Sequence, residues 1–198
     1  MTRINNHLKV KKAFEETKAY IKQIEFLNKQ LSQYANTDPL TELGNRRSFH
    51  QSVDKIIESH FKKGKNFSIV LADIDNFRHI NNNYGHNYGD YILKIIASIF
   101  TDLVRGQDIV TRWGGEEFLL LFPETDKIGA VRVIERIREK IKEEGKFLSN
   151  VTLTYGIAEC NHENIGEVRK TNSIVKLVNE ADEKMYQGKR NGKDQIVP

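Results

Sequence analysis

Two adjacent carboxylates, Glu116 and Glu117, stand between a Gly114-Gly115 pair and the apolar run Phe118-Leu119-Leu120-Leu121-Phe122. The residues before them, Ile109-Val110-Thr111-Arg112-Trp113, are also strand-like. Gly-Gly is therefore expected to form the two-residue turn of a hairpin, because glycine accepts the positive φ angles such a turn needs. A core strand gains nothing from opening on Glu-Glu, so the pair is expected to act outside the core. Another carboxylate, Asp73, closes the apolar run Ser68-Ile69-Val70-Leu71-Ala72. Taken singly, Asp73 could be a helix N-cap or a solvated loop acid, and Glu117 a partly exposed strand acid. If their strands are neighbours, Asp73 and Glu116 converge, and converging carboxylates repel unless a cation lies between them. Hard oxygen donors with open coordination positions suit Mg²⁺, and such a pair is typically used to hold one or two metal ions against a nucleoside triphosphate.

The elements that must position these acids follow from periodicity. Residues 1–36 contain neither Gly nor Pro and read as one helix. A stripe of Val10, Phe14, Thr17, Ile21, Ile24, Asn28, Leu31 and Ala35 alternates steps of four and three, a heptad seam with one polar interruption. A second stripe, Tyr20, Ile24, Leu27, Leu31 and Tyr34, competes with it. A dimerising coiled coil is favoured over a helix packed on its own domain. Thr37-Asp38-Pro39 breaks the pattern and is the expected hinge, since the residue before proline leaves the helical region. Beyond it, after a helix over 46–61, the expected order is β-α-α-β-β-α-β-α-β, with strands at 68–73 and 151–158, the hairpin at 109–122, a helix over 174–186 and a short terminal strand at 195–197. Its centre is the βαββαβ pattern of an α+β, ferredoxin-like sheet with helices on one face. The expected division is a helix, 1–36, and a domain, 37–198.

Composition narrows the classes. An apolar content of 38% supplies a core and 29% charged residues a solvated surface. The net charge of +4 is spread along the chain, which accommodates a phosphate-rich ligand but does not form the basic stripe of a nucleic-acid binder. The single cysteine, Cys160, excludes an intramolecular disulfide and fits a reducing cytoplasm. No apolar run approaches the ~20 residues of a membrane-spanning helix, and the first residues lack a signal-peptide core. The expectation is a cytoplasmic protein that makes no membrane contact of its own. No sensor domain is visible, so the chain is expected to be a piece of a longer protein.

Several motifs in one order add to this. Asp38-Pro39-Leu40-Thr41-Glu42-Leu43-Gly44-Asn45-Arg46-Arg47, Asp73-Ile74-Asp75-Asn76-Phe77-Arg78, Asn81-Asn82-Asn83-Tyr84-Gly85-His86-Asn87-Tyr88-Gly89-Asp90 and Arg112-Trp113-Gly114-Gly115-Glu116-Glu117-Phe118 follow one another. Together they resemble the GGDEF domain of diguanylate cyclases, in the Glu-Glu variant of its signature, over roughly residues 37–198. The resemblance implies a palm-type sheet and an enzyme that condenses two GTP into cyclic-di-GMP with release of pyrophosphate.

It also implies roles for particular residues. Asp73, Glu116 and the Ile74 carbonyl would hold Mg²⁺, for which Mn²⁺ can substitute. Glu117 would touch a second metal or help deprotonate the attacking hydroxyl. Asn81 and Asp90 would read guanine, although a turn residue and a helix cap are the plainer readings of the two. Backbone amides at Phe77 and Arg78 would cradle phosphates, Arg78 standing where lysine is frequent. Lys189 and Lys193 would add positive charge there, unless they are only a solvated basic tail. Arg105 and Asp108 match the R-x-x-D of an inhibitory product site, or else make a local turn with a surface salt bridge. Glu42 and Gly188 depart from the glycine and alanine usual at those places, and Tyr155 lies where the strand is usually spelt differently. The active site would form between two subunits, and the N-terminal helix would supply the homodimer. Two other classes compete: a binding module that senses GTP or cyclic-di-GMP without turnover, and a structural dimerisation protein. The latter leaves the acids at the strand ends unexplained.

Overall fold

A computed structural model describes residues 2–144, 151–161 and 174–198; Met1 and the Val10 side chain of the proposed seam lie outside what is described. The chain opens with helix α1 (Thr2–Asn36), followed by β1 (Gly44–Asn45), α2 (Arg46–Lys63), β2 (Phe67–Ile74), α3 (Phe77–Tyr84) and α4 (His86–Leu103). Next come β3 (Ile109–Gly114), β4 (Glu117–Phe122), α5 (Lys127–Glu144), β5 (Leu153–Cys160), α6 (Ile174–Arg190) and β6 (Ile196–Val197).

The strands form one sheet in the order β1-β3-β4-β2-β5-β6. Strand β2 lies between β4 and β5 and is antiparallel to both, which is the ferredoxin-like arrangement expected. Every residue of β2 is buried. Its sequence is accordingly a near-continuous apolar run, with no polar alternation, because both faces of the strand are covered. That corrects the expectation of helices on one face. Val70, Ala72, Phe118, Leu120, Tyr155 and Ile157 pack with residues of α3, α4 and α5 on one side. Ile69, Leu71, Leu119, Leu121 and Ala158 pack with Phe49 and Val53 of α2 and Leu177, Ala181 and Met185 of α6 on the other. Emptying one such site, as in Leu71→Ala, typically costs about 2–5 kcal/mol.

Strand β1 pairs in parallel with β3, Gly44 opposite Thr111 and Asn45 opposite Arg112. Two residues are too few for periodicity to reveal, so this edge strand was not expected. A tight turn precedes it, closed by Asp38 N donating to Leu43 O at 2.8 Å. Glu42 occupies that turn at φ 61°, in the left-handed region, which is the physical reason glycine is usual there.

Candidate active site

Asp73 and Ile74 end β2, and register places Asp73 opposite Glu117 of β4 and Thr154 of β5. The hairpin differs in detail from expectation. Gly114 is the last residue of β3 and pairs with Glu117, so the turn consists of Gly115 and Glu116. Gly115 alone of the two glycines needs a positive φ, 49°. A register shift between Arg112 and Gly114 inserts Trp113 as a bulge, which re-aims the end of the hairpin. Glu116 therefore sits in the turn, its carbonyl accepting from Ile74 N at 3.3 Å, while Glu117 opens the strand half-buried.

Three carboxylates thus share one strand end. Burial raises the Asp73 carboxyl above its ordinary range, with Glu116 and Asp75 adding to the rise and the Lys189 ammonium opposing it. Burial likewise raises Glu117, helped by Asp73 and Asp182. The Lys189 Nζ, from the last turn of α6, lies 2.7 Å from Asp73 Oδ1. A cation is thus already drawn to this acid, and the donor set fits a divalent ion of hard-oxygen preference. Among the described residues no group of three or more His, Cys, Asp or Glu gathers as a complete metal cage. Asp73, Glu116 and a backbone carbonyl would leave positions for phosphate oxygens to fill.

The opening of α3 lies two residues beyond Ile74. Asn76 takes φ 57° at its N-cap without capping it through its side chain. His79 N and Ile80 N bond back to Asn76 O, so the amides of Phe77 and Arg78 precede the first intrahelical donor. Lys193 Nζ donates to Asn76 Oδ1, bringing a second lysine to the same edge. Neither lysine is a free tail.

Asn81 lies within α3, not in a turn. Helix α4 begins at His86 with Gly85 in the N-cap position, so Asp90 is inside the helix and is not its cap. Asn81 packs against Gly89, the residue before Asp90, where an added Cβ would lie 1.9 Å from Asn81 Oδ1 and 3.1 Å from the Phe77 ring. Asn81 Oδ1 is buried and finds no partner among the described residues, an acceptor left for a ligand donor.

Arg105 and Asp108 lie at the other end of β3 from the signature. Asp108 Oδ2 accepts from Arg105 N at 2.8 Å, closing the turn. Its Oδ1 is buried without a partner among the described residues, and burial raises the carboxyl. The pair lines a cleft of about 660 Å³ together with Thr41, Lys94 and Ser98.

Two residues that hold this end of the sheet together carried no role in the sequence reading. Arg112 donates from Nε and Nη2 to Gly115 O at 3.0 and 2.8 Å, and from Nη1 to Asp38 Oδ1 at 3.0 Å. Asp75, read only as part of a motif, is buried and fully engaged. Its partners lie far along the chain, so no local spacing signals them.

Comparison with known proteins identifies the family and the fold. The family described as "Diguanylate cyclase, GGDEF domain" matches residues 35–195. Diguanylate cyclase DgcM of Escherichia coli (strain K12) is 34% identical over 172 residues, 86% of this chain and 40% of that protein. Diguanylate cyclase A of Treponema denticola is 32% identical over 190 residues, 92% of this chain and 49% of that protein. The chain therefore spans less than half the length of these curated relatives. The coiled coil and GGDEF domain of DgcB from Caulobacter crescentus, in complex with c-di-GMP, has the same fold, with a TM-score of 0.83 at 23% identity over 95% of this chain and 98% of that one. The GGDEF domain of DgcB alone, also with c-di-GMP, gives a TM-score of 0.72 at 26% identity over 82% and 92%.

Proposed function

This chain belongs to the GGDEF diguanylate cyclase family, and from that premise we propose that it condenses two GTP into cyclic-di-GMP and pyrophosphate across a homodimer. The observation that carries the reading is the meeting of Asp73, Glu116 and Glu117 at the joined ends of β2 and the β3–β4 hairpin, with Lys189 beside them. In each half-reaction a ribose 3′-hydroxyl attacks the α-phosphorus of the facing GTP. A P–O bond forms, the bond to the β-phosphate oxygen breaks, and pyrophosphate leaves; a second round in the opposite sense closes the ring.

Asp73, Glu116 and the Ile74 carbonyl would hold a divalent ion, Mg²⁺ or Mn²⁺, whose charge offsets that of the phosphates. Glu117, with a carboxyl raised above its ordinary range by burial and by neighbouring acids, is suited to take the proton of the attacking hydroxyl. Asn81 Oδ1 and the Asp90 carboxylate accept from guanine N–H groups, whereas adenine offers an acceptor at N1. The amides at Phe77 and Arg78, with Lys189 and Lys193, bind the β- and γ-phosphates. Arg105 and Asp108, opening on their cleft, are read as the site at which cyclic-di-GMP inhibits; Asp108 Oδ1 offers the free acceptor.

Incubation of the chain with GTP and Mg²⁺ should yield cyclic-di-GMP, followed chromatographically. Glu116→Gln should reduce turnover by at least 10²-fold at unchanged stability. In the same assay Arg105→Ala should keep its initial rate as product accumulates. A folded dimer that forms no cyclic dinucleotide would overturn the proposal.

A further inference from the structure

Asp75 is only 3% exposed, and its carboxylate contacts are with other parts of the chain. Its Oδ1 accepts from Thr154 Oγ1 at 2.7 Å, and its Oδ2 from Thr152 Oγ1 at 2.7 Å and from Asp194 N at 3.0 Å. Its own amide donates to Thr152 O at 2.8 Å. Both oxygens are thus committed to Thr152 and Thr154, at the start of β5 and just before it, and to the segment after α6, leaving this carboxylate satisfied without a metal.

The segment it grips runs through strained backbone. Gly192, Lys193 and Asp194 follow one another at φ 116°, 62° and 47°, a run of left-handed backbone in which two of the three carry side chains. External ties fix it. Asp75 holds the Asp194 amide from inside, and Arg138 of α5 holds Asp194 from outside, Nε to Oδ1 at 2.6 Å and Nη2 to the carbonyl at 2.6 Å. Lys142 adds a contact to Asp194 Oδ2 at 3.2 Å. Lys193 N closes back on Gly188 O at 3.0 Å. Gly188 packs over Thr154, where an added Cβ would lie 2.7 Å from Thr154 Cγ2, so this chain needs glycine there given its Thr154. Two lysines issue from this assembly toward the strand end: Lys189 to Asp73 and Lys193 to Asn76.

We propose that Asp75 is a positioning residue that docks the 188–195 turn onto the end of β2, so that Lys189 and Lys193 present their charge to a bound polyphosphate; this deepens the phosphate half of the function proposed above. Asn81 and Asp90 lie within α3 and α4, outside that turn, which reaches α3 at its N-cap, Asn76, five residues before Asn81. Loss of Asp75 should therefore weaken recognition of the phosphate chain and spare recognition of the base. A role in stability alone would lower the melting temperature and weaken both alike.

Binding of tripolyphosphate with Mg²⁺, and separately of guanosine, is measured by calorimetry on the whole chain. Asp75→Asn, which keeps the shape but replaces one acceptor by a donor, should weaken tripolyphosphate about tenfold and guanosine less than twofold. Arg138→Gln frees the same turn from its exposed side and leaves the buried acid intact. It should shift the same ratio about threefold, and it decides the matter if Asp75→Asn does not fold. Tripolyphosphate affinity within twofold of the parent in every folded variant, guanosine weakened equally, or no tripolyphosphate binding by the parent would each overturn the proposal. Failure to make cyclic-di-GMP, with the tripolyphosphate shift intact, would remove the cyclase reading and leave this one standing.

Discussion

Glu117 is held where burial and the charges of Asp73 and Asp182 all oppose its ionisation, and only Lys189 favours it. Its folded-state pKa lies above the ordinary 4.5, so the folded chain binds the proton more tightly than the unfolded chain does. The stability linked to that proton is present below the unfolded value and is lost as pH rises through the folded one. At neutral pH the carboxylate is therefore a cost of the site. Glu117→Gln should melt on the order of 1–3 °C above the parent at pH 7.5, with the difference disappearing as pH falls below about 4.5. Thermal denaturation across pH measures it, and a lower melting temperature for the variant at pH 7.5 would show the carboxylate to be stabilising. Asp73 stood out in the sequence because an acid ending a buried, largely apolar strand has no packing reason to be there, and Glu116 because the Glu-Glu pair precedes such a strand; the structure brings both to one strand end. Asp75 was not, since its carboxylate is explained only by Thr152, Thr154 and Asp194, which the chain brings to it after folding.

Between α1 and the hairpin, one guanidinium joins two elements whose connection the sequence order hides. Arg112 forks to the Gly115 carbonyl of the signature turn and to Asp38 in the hinge after α1. Burial pushes the Asp38 carboxyl up, but the Thr41 hydroxyl and amide and the Arg112 charge outweigh it and hold the carboxyl below its ordinary range. The motif around Asp38 and the signature were each readable; the bridge between them was not, because β1 is too short to announce that it lies beside β3. Lysine cannot satisfy both partners from one point charge. Arg112→Lys should lose about 1–2 kcal/mol in denaturant unfolding. It should also lower kcat more than it raises KM, since the turn carrying Glu116 is loosened while the base site is untouched. The stabilising contribution of ionised Asp38 is present above its unfolded pKa and is lost as pH falls through the folded one, so the deficit should shrink in acid. Equal stability at pH 7 would mean that the fork contributes nothing.

Over the whole molecule, α1 stands apart in where its apolar side chains go. A 35-residue helix is about 52 Å long, and Phe14, Ile21, Ile24 and Leu31 along the proposed seam are 66%, 51%, 57% and 65% exposed. Tyr20, Leu27 and Tyr34 of the competing stripe are exposed as well. Packing against the chain's own sheet, the plainer reading of the seam, is thus not what these side chains do. Heptad spacing made the helix legible from one end to the other, but two overlapping stripes leave both seams available to a second copy, a choice fixed only between chains. Under the proposed two-domain reaction, pairing of α1 with a second copy would supply the effective concentration of a tethered partner, an advantage of about 10²–10⁴ over free encounter. Ile24→Lys combined with Leu31→Lys places charge on both stripes at once. The double variant should sediment as a monomer, bind GTP with the parent's affinity per chain, and turn over roughly 100-fold more slowly at micromolar protein. Its specific rate should climb with protein concentration while the parent's stays level. A fully active monomer would separate α1 from catalysis and return the seam to some other partner.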